Sequence, residues 1–148
     1  MQVIITDGGK SKAGYKVKSG DCVVRAIAIA SELPYQQVYE ALEGYNRIAS
    51  LGRSRVAKKL QKRGSSPRNG NFKESYEMYL QSLGFAWVPT MFVGQGCKVH
   101  LRSEELPGGL IIASVSKHLV AVIDGVIHDN HDCSRNGTRC VYGYYIKQ

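Results

Sequence analysis

One cysteine of the four in the chain stands in a setting that suits chemistry. Cys22 follows Gly20-Asp21 and opens the run Val23-Val24-Arg25-Ala26-Ile27-Ala28-Ile29-Ala30. A thiol attacks carbon only as its thiolate, and the unpaired N–H groups and dipole at a helix N-terminus favour that anion. Thiol catalysis also needs a base to take the proton and a third group to hold the base in one orientation. An inert core cysteine is the competing reading, because free cysteines are among the most buried residues.

The base and its orienting acid are found far downstream. His118-Leu119-Val120-Ala121-Val122-Ile123 and Val126-Ile127-His128-Asp129 are apolar runs separated by Asp124-Gly125, a strong two-residue hairpin signal. With that turn, Ile123 faces Val126. Counting outward, His118 faces His131, and Asp129 lies one diagonal step away. Side chains 118, 129 and 131 therefore leave the same face of the ladder. Asp124 is used in the turn, and Asp132 points to the opposite face of a regular strand. A histidine and a carboxylate thus arrive together on a rigid element. The backbone N–H of Cys22 supplies half of an oxyanion hole in this scheme.

The cysteine must be delivered by a helix. Val and Ile in the run favour a strand and Ala a helix; Asp21 as N-cap and the closing Ser-Glu-Leu-Pro decide for a helix over about 21–31. It is apolar nearly all round, so it belongs in the centre of a domain, and Arg25, its only interior charge, must find a partner. Pro34 suits the first turn of a second helix, on which Tyr35, Val38, Leu42 and Tyr45 recur at helical spacing. Ile48, Leu51, Val56 and Leu60 allow a short helix near 54–63. Phe72, Tyr76, Tyr79, Leu80 and Leu83 define another, closed by Gly84. The period then changes. Phe85–Val88, Met91–Val93 and Cys97–Leu101 read as strand pieces, Leu110–Val115 as a buried strand, and Arg139–Ile146 as the last strand, after the turn Ser134-Arg135-Asn136-Gly137. Val3-Ile4-Ile5 is a short strand, followed by a Gly/Lys/Ser-rich loop to Gly20. Helices precede antiparallel strands, which gives an α+β fold in a single domain over 1–148, helical over about 20–84 and sheet over about 85–148.

Charge is distributed unevenly. The net charge is +8, and no Asp or Glu occurs between Gly44 and Lys73. That window holds Arg47, Arg53, Arg55, Lys58, Lys59, Lys62, Arg63, Arg68 and Lys73. A solvated face is one reading; contact with an acidic partner or a phosphate backbone is the other. No aromatic interleaves the basic residues before Phe72, so base stacking lacks support. No helix-turn-helix, zinc-finger or RNP-type pattern is present.

Other candidate sites are weaker. His128, His131, Cys133 and Cys140 have zinc-ligand chemistry, but the two histidines fall on opposite strand faces and no CxxC pair exists. Cys133 and Cys140 flank a turn and would pair if oxidised. Cys97 and His100 suit local packing. Gly94-Gln95-Gly96 is a turn, not a phosphate loop. No metal and no cofactor is expected. Four cysteines do not suggest a disulfide framework, no apolar run approaches the roughly 20 residues of a membrane span, and the N-terminal residues lack a signal-peptide pattern. The expectation is a protein of the reducing cytoplasm.

An early buried helix bearing Cys, a His at the start of a later strand and an Asp across a hairpin resemble the papain-like fold, and are most similar to the C39-like cysteine peptidases. The segments 20–28, 96–101 and 118–129 also resemble a family of small uncharacterised bacterial and phage proteins, across nearly the whole chain. The resemblance implies Cys22 as nucleophile, His118 as general base and acid, and Asp129 as the orienting residue. It implies a peptidase, isopeptidase or acyl transferase acting through a thioester, in the bacterial host cell if phage-encoded. C39-like enzymes place a glutamine about six residues before the cysteine as second oxyanion donor. Here Lys16 holds that place, so Lys16, Lys18 or the Ser19 hydroxyl must substitute, or the hole is incomplete. Arg53, Arg55, Lys58 and Lys59 would then lie beside the cleft and favour an acidic protein or peptide substrate. The alternative is a papain-like binding module without turnover, whose basic 47–73 block holds nucleic acid or an acidic protein.

Overall fold

The computed structural model describes residues 1–15 and 20–148. Among these, four α-helices pack against one six-stranded sheet. The helices are α1 (Cys22–Ser31), α2 (Tyr35–Ser50), α3 (Arg55–Arg63) and α4 (Lys73–Ser82). The strands are β1 (Val3–Ile5), β2 (Phe85–Pro89), β3 (Leu110–Val115), β4 (His118–Ile123), β5 (Val126–Asp129) and β6 (Gly143–Lys147), in the sheet order β1-β5-β4-β3-β6-β2. The expected α+β class is observed.

α1 is central because its composition leaves it no exposed face. Val23, Val24, Arg25, Ala26, Ile27, Ala28 and Ala30 are all buried. It lies between α2 and the sheet, in a core completed by Val38 and Leu42 of α2, Tyr76, Tyr79 and Leu80 of α4, and Ile112, Leu119, Ala121 and Tyr145 of the sheet. The strands alternate as a sheet buried on both faces requires. Ile111, Ala113, Val115, Val120, Val122 and Ile127 face a second core with Leu101, Leu106, Cys133 and Val141. That core is covered by the segments around 97–109 and 130–142 rather than by helices.

Asp124 and Gly125 both have positive φ (49° and 77°), the conformation of a type I′ hairpin, and Ile123 pairs with Val126 as the dipeptide predicted. Asp124 is indeed used locally: its Oδ1 accepts from the Gly109 N–H at 2.7 Å. At the far side of the sheet, Gly143 leaves room for Trp87, whose Cη2 would be 2.3 Å from a Cβ at that position.

Several expectations are corrected. The sheet is mixed, not antiparallel throughout, because β1 runs parallel to β5, with Val3 opposite Ile127 and Ile5 opposite Asp129. The N-terminal residues therefore complete the sheet that the sequence confined to residues 85–148. Met91–Val93 and Cys97–Leu101 are not ladder strands; they make only the isolated bridges Phe92–Gly96 and His100–Cys140. The last strand begins at Gly143, not Arg139. Asp21 stands at the N-cap position but makes no side-chain cap hydrogen bond, since its carboxylate turns inward to a stronger set of partners.

The cysteines also depart from expectation. Cys97 and Cys140 form a disulfide across 43 residues of sequence. Cys133, offered as the partner of Cys140, is free and buried. The pairing is set by tertiary structure. Leu101 N–H donates to Arg139 C=O and Val141 N–H to Val99 C=O, both at 2.8 Å, and these two bonds lay the segments side by side. Cysteine usage consequently gives no argument for a reducing compartment. No helix among the described residues is long and apolar enough to cross a membrane.

Candidate active site

The site is assembled where the N-terminus of α1 meets the start of β4 and the end of β5. Cys22 is the first residue of α1, so its own N–H has no partner within the helix. His118 opens β4 and Asp129 closes β5. Nε2–H of His118 donates to Asp129 Oδ2 at 2.6 Å, with only 10% of the histidine side chain and 4% of the aspartate side chain exposed. The other oxygen, Oδ1, accepts from the Asn130 N–H at 2.7 Å and lies 3.5 Å from Arg25 Nη2. Thr6 N–H donates to the Asp129 backbone carbonyl at 2.8 Å, so β1 fixes the backbone of the acid.

Arg25 joins this acid to a second one. Its Nη1 donates to Asp21 Oδ1, whose other oxygen accepts from Tyr35 Oη at 2.5 Å and lies 3.2 Å from Lys10 Nζ. Burial, then the bond to Asp21, pushes the Tyr35 hydroxyl far above its usual pKa and keeps it a donor. A continuous buried chain of charge thus runs from Lys10 and Tyr35 through Asp21, Arg25 and Asp129 to His118. Buried carboxylates of this kind require such pairing. Gly8, with φ +68°, lies against the backbone of Arg25, a close approach that a side chain would obstruct; the loop carrying Lys10 follows directly.

The electrostatics favour an imidazolium beside a thiolate. Burial works against charge on His118, but the bond to Asp129, the Cys133 sulfur and the Cys22 sulfur outweigh it and lift the pKa to about 11. Burial would likewise raise the Cys22 thiol; hydrogen bonding to His118, the backbone N–H of Leu119 and the charges of His118 and Arg25 bring it below its ordinary value instead. Asp129 is held low against its own burial, chiefly by His118. These shifts match the roles of nucleophile, acid–base group and orienting anion.

No protein-family model, curated protein or solved structure matches the chain. The site must therefore be read from its geometry. Two cavities flank the thiol. One, of about 430 Å³, is bounded by Phe72, Tyr76, Val115 and Leu119 with Gly70 and Asn71; the other, of about 560 Å³, by Lys10, Asp21, Arg25, Asn130 and His131. Cys22, His118 and Lys117 line both. The wall at 64–72 is tied to α2: Asn46 Nδ2 donates to Ser65 C=O at 3.0 Å and to Asn71 Oδ1 at 3.1 Å, and Tyr39 Oη lies 2.7 Å from Ser66 Oγ.

The sequence-predicted residues divide into three groups. Cys22, His118 and Asp129 come together. Arg55, Lys58 and Lys59 do not reach either cavity; with Lys62 they line a separate groove on exposed α3. Arg53 is exposed in the turn before α3 and is outside that groove as well. The basic face nevertheless adjoins the cleft, because Lys59 and the Arg63 guanidinium sit over the Phe72 ring, at 5.9 and 4.6 Å from its centroid. Lys16, Lys18 and Ser19, the candidate second oxyanion donors, lie outside the described residues.

Sequence reasoning missed two participants. Arg25 was expected to find a partner but not to clamp the acid of the site. Cys133, weighed only as a metal ligand or disulfide partner, contacts the imidazole instead. Ligand atoms of His118, Asp129 and Cys133 lie within 4.8 Å of one another. The 2.6 Å separation of His118 Nε2 and Asp129 Oδ2 is that of a shared proton, too close for two atoms bound tetrahedrally at about 2.0–2.2 Å from one zinc ion. As arranged, these residues do not fit a metal.

Proposed function

We propose that the protein is a cysteine hydrolase of papain-like design, with Cys22 as nucleophile, His118 as proton carrier and Asp129 as its orienting anion. The observation that carries this reading is the buried His118–Asp129 bond beside the Cys22 thiol, which stands at a helix N-terminus with open cavities on both sides, lined by Cys22 and His118 together. The Cys22 thiolate adds to a substrate carbonyl carbon, and the C=O electron pair moves to oxygen, toward the free Cys22 N–H. Collapse of that adduct breaks the acyl bond, and the His118 imidazolium gives its proton to the leaving amine or alcohol. A thioester remains on Cys22. Water, losing a proton to His118, then attacks the thioester and releases the acid and the thiolate. An amine in place of water makes the same residues an acyl transferase.

The reading is tested by labelling the native protein with iodoacetamide at neutral pH and mapping the product. Rapid, selective alkylation of Cys22 over Cys133, lost in His118→Ala, is expected. Equal and slow alkylation of both thiols rules the reading out.

A second reading rests on the groove formed by Arg55, Lys58, Lys59 and Lys62. Four cations on one exposed face suit a polyanion, so a binding module for nucleic acid or an acidic protein is the alternative. It requires affinity that falls steeply with salt, with a slope that shrinks when these residues are neutralised.

A further inference from the structure

We infer that Lys117 is an anion-binding residue of the cleft, and that the substrate carries a carboxylate beside the reacting acyl group. This rests on the hydrolase reading and adds a substrate class to it. Lys117 immediately precedes His118 in the β3–β4 turn and lines both cavities beside the thiol. Its backbone is left-handed, with φ 56°, a conformation that suits glycine better than lysine. A non-glycine residue held there, next to a reactive histidine, is the kind of local strain that collects at binding sites.

Among the described residues, the surrounding charges leave Lys117 as the lysine or arginine available to a ligand. In the larger cavity, Lys10 and Arg25 are paired with Asp21, and Arg25 also faces Asp129. In the smaller one, Lys73 is 3.8 Å from Glu77 and sits 4.6 Å over the Trp87 ring. Lys117 makes no ion pair among the described residues, and its backbone neighbours offer no acid. Among the described residues, the only carboxylate lining either cavity is Asp21, which is fully buried and already bound by Lys10, Arg25 and Tyr35. An incoming anion therefore meets no exposed acid in the cleft. The imidazolium and thiolate cancel at a distance, so Lys117 sets the sign of the local field. On the smaller side, Phe72, Tyr76, Val115 and Leu119 offer apolar surface. The substrate that fits joins an apolar group on one side of the scissile bond to an acidic group beside it. This differs from acidic recognition by α3, whose groove does not include Cys22.

Two alkylating reagents of the same size test the assignment without knowledge of the substrate. Iodoacetate carries a carboxylate next to the reacting carbon; iodoacetamide is its neutral counterpart. In both, the Cys22 sulfur bonds to the methylene carbon as iodide leaves. The quantity measured is the iodoacetate-to-iodoacetamide rate ratio at Cys22, which cancels any loss of thiolate reactivity common to both reagents. We expect it to exceed the ratio for the same cysteine in urea-unfolded protein by about tenfold at low salt, and to fall toward the unfolded value in Lys117→Ala and in 1 M salt. Lys117→Gly, which relieves the left-handed backbone, is expected to lower the ratio equally, and Lys117→Arg to keep it. Lys147→Ala, at the opposite end of the sheet, separates local from net charge and is expected to leave the ratio unchanged. A native ratio equal to the unfolded one, or a ratio indifferent to Lys117→Ala and Lys117→Gly, overturns the anion site while leaving fast iodoacetamide labelling, and the hydrolase reading, intact. Slow reaction with both reagents overturns the hydrolase reading and this inference together.

Discussion

Arg25 Nη2 on α1 lies 3.5 Å from Asp129 Oδ1 on β5, which binds the helix carrying the thiol to the strand carrying the acid. The same guanidinium holds Asp21 one turn earlier, so a single side chain bridges two buried carboxylates, with Lys10 and His118 as their other cationic partners. This explains how so apolar a helix keeps its one charge: the charge positions the site.

Replacing Arg25 by Met should be among the most damaging single changes outside the triad. It leaves Asp129 with only His118 and Asp21 with Lys10 and Tyr35, and breaking a buried pair from one side costs about 3–5 kcal/mol. Urea unfolding of Arg25→Met should show a loss of this size. Arg25→Lys, which keeps the charge without the planar fork, should recover only part of it. A loss below about 1 kcal/mol, the range of exposed ion pairs, would show that the network is wetter than the burial indicates.

The pH dependence of Cys22 follows from the two opposed shifts. The thiol titrates below its ordinary value and His118 near 11, so the ion pair spans the interval between them. The iodoacetamide rate at Cys22 should rise through an inflection below about pH 8.5, the free-thiol value, and stay high well into the alkaline range. His118→Ala should move the inflection upward, because burial is then opposed only by the Leu119 N–H and the Arg25 charge. For stability, the raised His118 pKa contributes fully below about pH 6.5 and is lost as pH climbs through about 11. The lowered Asp129 pKa contributes above about pH 3.9 and is lost as pH falls through its folded value. Asp129→Asn should flatten the acid limb of the unfolding free energy measured against pH.

The parts of the site legible in the sequence were those fixed by short-range rules. Asp124-Gly125 dictates a two-residue turn, and strand alternation then places His118 and Asp129 on one face by counting alone. The apolar run 23–30 announces a central helix, and Pro34 and Gly84 punctuate the helices that flank it. What could not be read depends on pairing at long range. Val3–Ile5 gives no sign of where it pairs, and a parallel partner more than a hundred residues away has no local signature. Asp21 looks like a helix cap in sequence; only the arrival of Arg25, Lys10 and Tyr35 around it shows why its carboxylate turns inward. Cys97 and Cys140 meet because irregular segments pack under the sheet, where neither alternation nor turn chemistry guides the reading. The basic run suggested substrate contact, but helical periodicity sends its lysines outward on α3, away from the thiol.

The disulfide braces the loop-covered face of the sheet rather than the site. Its closure spans 43 residues, for which loop entropy gives about 2–4 kcal/mol. Cys97→Ser combined with Cys140→Ser should lower the urea midpoint accordingly, and dithiothreitol should do the same to the unaltered protein. Iodoacetamide labelling of Cys22 should keep its rate in both cases, since α1, β4 and β5 are held by their own core. Loss of Cys22 reactivity on reduction would mean that the covered face supports the site more directly than its contacts indicate.

Asn46 offers the sharpest test of how the cleft wall is held. It is fully buried, and its Nδ2 donates to both Ser65 C=O and Asn71 Oδ1. Asn46→Ala removes both bonds and leaves two acceptors without that donor, at a cost of about 1–3 kcal/mol. Most of that loss should fall locally, because segment 64–72 packs few apolar groups of its own and, among the described residues, Tyr39–Ser66 would then be the remaining side-chain hydrogen bond from it to α2. Limited trypsinolysis should therefore cut faster after Arg63 and Arg68 in Asn46→Ala, at temperatures where the helical core still resists. Asn46→Asp should be worse still, since it aims an anion at two oxygen acceptors. Unaltered cleavage at those arginines, with stability lost uniformly across the chain, would show that the wall is an integral part of the α2 core.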